Sequence, residues 1–258
     1  MTMKNQIVIT NGKSRQLLSL KTEAVLLVFL FVTVLWFDQL VAFLKPLIGA
    51  PKSNVQVWNL GELFFQHVSI VVIATSASLI LAFGLGSWVH IKRYDQLKSN
   101  LLSFCGFGET FPTAALIALL VPLLGYGMES VVIALFVYGL MPIYTNTIEG
   151  LESIPKQISE AADGMGLAPI QKYKYVELKM GMPYILAGIR ISLIVNIAAA
   201  TIGAVVGAGG LGMPIMSGIR IYDPILIMKG ALPVILLALL VDGLFRKMEK
   251  HYDKKSKG

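Results

Sequence analysis

Few residues in this chain have the type and spacing that covalent chemistry requires. His67, His90 and His251 fall at unrelated positions with no second ligand at short spacing, so no metal site is expected. No nucleophile, base and orienting group stand together, which argues against catalysis. The lone Cys105 excludes an internal disulfide and suits packing. Gly207-Ala208-Gly209-Gly210-Leu211-Gly212 satisfies a dinucleotide-binding pattern letter by letter, but that pattern works between a strand and a helix of a parallel α/β unit. Here it ends a long apolar run, which points to a gate, with Gly209 and Gly210 at its centre, or to close helix packing. Gly12-Lys13-Ser14 imitates the end of a phosphate-binding loop, yet Ile7 stands where the first glycine belongs. What remains is binding and mechanical coupling. The polar stretch Glu160-Ala161-Ala162-Asp163-Gly164-Met165-Gly166 lies between two apolar runs, followed by Val176-Glu177-Leu178 and Pro183. Small Ala161, Ala162 and Gly164 let a helix approach another backbone closely, while Glu160 and Asp163 can pair with a partner's basic groups or cap helix ends. Taken alone, the stretch also fits a solvated interfacial helix.

The elements that carry these residues are membrane spans. Of 258 residues, 55% are hydrophobic and 14% charged, and the mean hydropathy is +0.72, too apolar for an ordinary soluble domain. A span needs about 20 mostly apolar residues, and the candidates are 24–44, 66–89, 101–124, 128–148, 184–207 and 224–245. With the N-terminus inside, every Lys and Arg except Lys45, Lys52, Arg220 and Lys229 falls on the inner side, so both termini are expected in the cytoplasm. The net charge of +7 follows inner membrane boundaries and the tail from Lys247 to Lys257, which favours lipid headgroups over nucleic acid as the partner. The first apolar run is too long for a signal sequence and is expected to stay attached. The expected organisation is a cytoplasmic segment at 1–23, a first span and outer loop at 24–61, a transmembrane domain at 62–247 and a basic tail at 248–258.

Two spans look interrupted, one by Gly106, Gly108 and Pro112 and one by Gly139 and Pro142. Broken helices are tolerated where freed backbone groups face protein or a water-filled cavity, so these two are candidate pathway walls; simple proline kinks are the alternative. Phe111, Tyr126, Phe136, Tyr138 and Tyr144 could line a pathway for a cation, which aromatic faces attract, although rings of this kind more often simply pack. Asp242 is expected to pair with Arg246 one turn on, and Asp38 to sit wet near the outer interface. Asn196, deep in the fifth span, either lines a pathway or holds a neighbouring helix. The loop at about 147–183 reads as two short helices: Pro155 opens one, Gly166 caps it in a left-handed conformation, and Pro169 opens the next.

Glu160, Ala161, Ala162 and Gly166 match in order and spacing the coupling loop, known as the EAA loop, of ATP-binding-cassette (ABC) importer permeases, which this string resembles. Val176 and Leu178 fit the tail of that pattern. Lys179 departs from it, standing where the family usually has proline, and Pro183 matches a further proline common in the osmoprotectant branch. Gly108-Glu109-Thr110-Phe111-Pro112, Val121-Pro122-Leu123-Leu124-Gly125-Tyr126-Gly127, Ala187-Gly188-Ile189-Arg190 and Val206 to Gly212 also resemble that branch, with Glu109 replacing its usual glutamine. The resemblance spans residues 62–247.

It implies an all-α polytopic permease of MetI-like fold with about six transmembrane helices in the bacterial inner membrane. Glu160, Ala161, Ala162, Asp163, Gly164, Gly166 and Leu167 would form the coupling loop, and Glu109, Phe111, Pro112, Tyr138, Asn196, Gly209 and Gly210 are candidates for pathway or gate. Such a permease is not an enzyme and holds no cofactor. ATP and magnesium belong to a cytoplasmic ABC ATPase dimer, a second permease subunit, identical or sister, completes the channel, and an extracytoplasmic binding protein delivers the solute. The implied cargo is glycine betaine, choline or carnitine, with a sulfonate or another small polar solute as the alternative. An ion-coupled carrier would need deep paired ionisable groups and inverted repeats, of which the chain shows few and none evident respectively. A non-transporting scaffold with an interaction loop is a further alternative.

Overall fold

The computed structural model describes residues 22–39, 41–42 and 58–256. The segment with Gly12 to Ser14, the expected outer loop with Lys45 and Lys52, and Lys257 at the end of the tail lie outside the described residues. Among the described residues there are helices and turns but no strand. The helices are α1 (Thr22–Gln39), α2 (Leu60–Lys92), α3 (Asp95–Glu109), α4 (Thr113–Leu124), α5 (Met128–Glu152), α6 (Lys156–Gly164), α7 (Pro169–Lys172), α8 (Leu178–Ala199), α9 (Gly212–Ile221) and α10 (Pro224–Ser256). A π turn, Tyr173–Glu177, joins α7 to α8, and a 3-10 turn, Ala200–Val206, extends α8. Among the described residues, five helical stretches are long and apolar enough to cross a membrane, and a bent pair makes up to six.

That bent pair is α3 and α4, which meet at 91°. The span expected at 101–124 is therefore two helices in different directions. Thr110 donates its hydroxyl to Phe107 O at 2.7 Å, and Pro112, extended at ψ 135°, has no N–H with which to continue the ladder. The expected interruption at Gly139 and Pro142 does not occur, because α5 runs unbroken through both. Its glycine serves packing instead. A Cβ on Gly139 would lie 2.5 Å from Ser78 Oγ and 2.8 Å from Ser192 Oγ, where α2, α5 and α8 converge.

The centre of the fold is the antiparallel pair α5 and α8, packed on each other along their length. At Gly139 the neighbour on α8 is Ser192. A Cβ on Gly188 would approach Pro142 O to 2.7 Å, and one on Gly150 would approach Gly181 O to 2.8 Å. The contacts stay in one register over three turns or more, so the backbones touch where glycines remove side chains. Helix α2 runs parallel to α5: Ser78 donates to Phe136 O at 2.7 Å, and a Cβ on Gly86 would meet Thr147 at 3.2 Å.

On the other flank of α8 lies α10. Arg190 donates to Asp242 at 2.9 Å and to Glu249 at 2.7 Å, while Arg246 reaches Asp242 at 2.8 Å. The pairing expected between Asp242 and Arg246 is present, and Arg190 joins it. Helix α1 lies antiparallel to α10, with Glu23 on Lys247 at one end and Asp38 on Lys229 at the other, the latter at 2.7 Å. Asp38, expected to be merely wet, is thus half of an ion pair with a buried lysine.

Gly188→Leu should lower the thermal stability of the purified protein by about 1–3 kcal/mol or prevent its accumulation, since the leucine overpacks a backbone contact. Gly84→Leu, at a glycine with no atom within 4 Å of the added Cβ, should be neutral. Unfolding curves in detergent compare them, and equal effects would remove the close-contact account.

Candidate functional site

Between α5 and α8 the chain leaves the bundle and forms a bent knob, α6 followed by α7. Pro155 caps α6 from one position before its first turn, and Gly166 just beyond it takes φ +75°. That left-handed conformation suits glycine, and a Cβ there would cost about 1 kcal/mol or more. Pro169 opens α7 with its fixed φ, as expected, and Ala168 N–H is satisfied by Gln171 Oε1 at 2.9 Å.

The expected coupling residues divide by environment. Glu160 and Ala161 are exposed, and Glu160 has no side-chain partner among the described residues. Ala162 is turned inward and fully covered, so it does not serve the outer contact expected of it. Asp163, expected to meet a partner's charge or a helix end, instead accepts both of its hydrogen bonds from Lys172 Nζ, at 2.8 and 2.7 Å. This clip fastens α6 to α7 and satisfies an ammonium that is otherwise buried. Gly164 faces open space, and Leu167 is half-buried. What the knob shows to the outside includes the carboxylate of Glu160, with Ile158, Met165 and Ile170, the last two 71% and 58% exposed.

Behind the knob lies a cavity of about 320 Å³ against the ends of α2, α3 and α5. Polar side-chain pairs cross it or border it. His90 Nε2 on α2 lies 3.0 Å from Glu177 Oε2 on the π turn, and Lys98 on α3 pairs with Glu152 on α5. Tyr173, at the start of the π turn, donates to Ser87 Oγ at 2.8 Å. Sequence reasoning gave His90, Tyr173 and Glu177 no role. The partners lie 86 and 87 residues apart, and no local pattern marks them.

The candidate pathway residues do not converge on one site. Glu109, Phe111 and Pro112 form the bend between α3 and α4, where the ring of Phe111 packs edge-on against Phe107 at 5.2 Å. Tyr138 of α5 reaches the same bend and donates its hydroxyl to Phe111 O, re-satisfying a backbone group that the break sets free. Asn196 lies elsewhere, fully buried, with Nδ2 donating to Thr75 Oγ1 of α2 at 2.9 Å. Of its two readings, the structure shows the helix-holding one. Gly209 and Gly210 are at the far end of the bundle, where Gln66 Oε1 accepts from Gly210 N–H at 3.1 Å and His67 lies alongside. The expected aromatic groups are equally scattered. Tyr144 is buried with its hydroxyl on Lys98 O at 3.0 Å, and Tyr126 is 80% exposed in the turn before α5, so among the described residues these rings form no aromatic cage.

Comparison with known proteins places these features. A family model described as "Binding-protein-dependent transport system inner membrane component" matches residues 78–254, from the middle of α2 through α10. The choline transport system permease protein OpuBB of Bacillus subtilis (strain 168) is 36% identical over 187 residues, 71% of this chain and 85% of that protein. The osmoprotectant import permease protein OsmW of Salmonella typhimurium (strain LT2) is 36% identical over 195 residues, 74% and 90% of the two chains. Among solved structures, the MetNI methionine ABC transporter in an inward-facing conformation aligns with a TM-score of 0.66 over 73% of this chain and 93% of that one. At 18% identity this is a likeness of fold.

Asp163→Asn should loosen the knob without disturbing the bundle, because it removes the carboxylate that pairs with a buried ammonium, a loss worth about 1–3 kcal/mol. Hydrogen exchange should quicken across residues 156–172 and stay unchanged in α5. Unaltered protection of the knob would show that the Lys172 clip does not hold it.

Proposed function

Because the chain belongs to the family of binding-protein-dependent transport system inner membrane components, we propose that it is the permease subunit of an ATP-driven importer for a quaternary-ammonium osmoprotectant. Glycine betaine, choline and carnitine define the class of solute. Members of the family are transport subunits rather than enzymes. The solute class rests on the transport roles named for its relatives.

The observation that carries the coupling role is the exposed face of the knob. Glu160, Met165 and Ile170 stand outside the apolar spans, exposed on a short helix pair. Exposed apolar side chains beside carboxylates, carried on a short bent element, make a fitting surface for a groove in another protein. That protein is an ABC ATPase dimer, which binds ATP and magnesium and receives one knob from each of two permease subunits, identical or sister. Its closure displaces the knobs, and the hairpin α5–α8 follows because the knob is the connection between those two helices. Both termini then face the cytoplasm, as the distribution of Lys and Arg favours, and a separate binding protein delivers solute to the opposite side. The pathway runs where Glu109, Phe111, Pro112 and Tyr138 line the helix bend, and Gly209 and Gly210 act at its outer end.

Reconstituted into liposomes with its ATPase and binding protein, the assembly should take up glycine betaine or choline only with ATP, and collapse of a proton gradient should change nothing. Uptake that follows the gradient without ATP would overturn the importer reading, and ATP-driven uptake of a sulfonate alone would overturn the solute class. Glu160→Lys and Gly166→Val should each reduce co-purification of the ATPase or uncouple its hydrolysis from uptake, with membrane insertion intact. Glu149→Lys, at an exposed acid on α5, should leave both unchanged. Equal behaviour of the three variants would count against the knob as the docking surface.

A further inference from the structure

The knob is joined covalently to α5 and α8, yet the turn that leads out of it bonds through its side chains to α2. The π turn is where this happens. Its first residue, Tyr173, bonds Ser87 Oγ at 2.8 Å, and its last, Glu177, meets His90 Nε2 at 3.0 Å. The widened turn is closed by Leu178 N–H on Tyr173 O, and it presents both ends of the turn to the same helix. Single π turns inside longer helices are often functional. Tyr173 and Ser87 are buried, and the side chains of His90 and Glu177 are only 18% and 14% exposed, so both bonds are sheltered from water that would compete for them.

Helix α2 reaches the opposite end of the bundle, about 50 Å away for its 33 residues. There Gln66 accepts from Gly210 N–H, and His67 Nε2 sits 3.0 Å from Ile197 O at the end of α8. The loop that α2 touches holds Gly207, Gly209 and Gly210, all at positive φ. A continuous set of bonds thus runs from α6 through the Asp163–Lys172 clip, the π turn and α2 to this glycine loop.

We infer that Tyr173 and Glu177 are positioning residues that tie the knob to α2, so that displacement of the knob at one end moves the Gly207–Gly210 loop at the other. The inference rests on the knob being the ATPase-docking element. Without the two bonds, the knob would still dock and still stimulate hydrolysis, but α2 would lag behind the α5–α8 hairpin.

The test uses the complete transporter carrying Tyr173→Phe, Glu177→Gln and both together, each change nearly isosteric. Co-purification of the ATPase should be retained, while ATP hydrolysed per solute imported rises about fivefold or more, the lower range of coupling between linked sites. Exchanging the pair, His90→Glu with Glu177→His, should restore the ratio toward that of the parent, which a general loss of fold would not allow. A second readout places one cysteine at Ala208 in a Cys105→Ser background. ATP should change its rate of labelling in the parent and not in the double variant. An unchanged ratio, an unchanged labelling response, or failure of the isosteric variants to assemble would each overturn the inference. Loss of ATPase binding in Glu160→Lys alongside an unchanged ratio in the double variant would leave docking standing and remove the tie to α2.

Discussion

The backbone contact between α5 and α8 is the constraint on which the rest depends. In hydrocarbon there is no hydrophobic force to press two helices together, so their cohesion comes from dispersion at short range and from hydrogen bonds. Gly139, Gly150, Gly181 and Gly188 bring the two backbones close in a single register. The knob connects these same helices. A loop seated on a loose hairpin would bend the hairpin; seated on this one, it carries the hairpin along. Helix α2 joins the pair through Ser78, Thr75 and Gly86, and α10 through Arg190, making one body around the centre.

Much of this was legible before any coordinate. The spans follow from hydropathy, and the bend points of the knob follow from Pro155, Gly166 and Pro169, residues whose backbone preferences are local. The fold class was legible too, through the resemblance of Glu160, Ala161, Ala162 and Gly166, with the glycine and proline segments on either side, to ABC importer permeases. The failures are of two kinds. The chain turns by 91° at proline 112 while the helix runs unbroken through proline 142, and sequence alone does not separate them. The difference lies in surroundings: Pro142 is buried with its carbonyl close to Gly188 of α8, whereas Pro112 is exposed and Tyr138 satisfies the carbonyl of Phe111 beside it. The second kind is pairing over distance. Asp38 with Lys229, and Tyr173 with Ser87, are joined across 191 and 86 residues, and no periodicity records such a meeting.

The interior polar groups divide between fastening and reserve. Thr75 and Asn196 hold two helices together, yet Asn196 Oδ1, Ser192 Oγ and His67 Nδ1 are buried without a hydrogen-bond partner. Groups left so are costly, and they concentrate along the face where α2 meets α8. The apolar counterpart is outside. Phe104, Phe107 and Tyr126 are 70%, 62% and 80% exposed on or beside the bent pair α3–α4, a surface rich in rings that a single copy does not cover.

Helix α1 shows how little packing a membrane segment needs in order to stay. Most of its side chains point away from the protein, and its ends are fixed by Glu23 on Lys247 and Asp38 on Lys229. Lys229 is 6% exposed, so its charge is tolerable only while the aspartate is beside it. The residues that the family model matches begin beyond α1, within α2. This first helix thus lies outside the matched residues, yet it supplies the carboxylate beside a buried lysine within them. A shortened descendant could not discard it without also replacing a lysine nearly two hundred positions downstream.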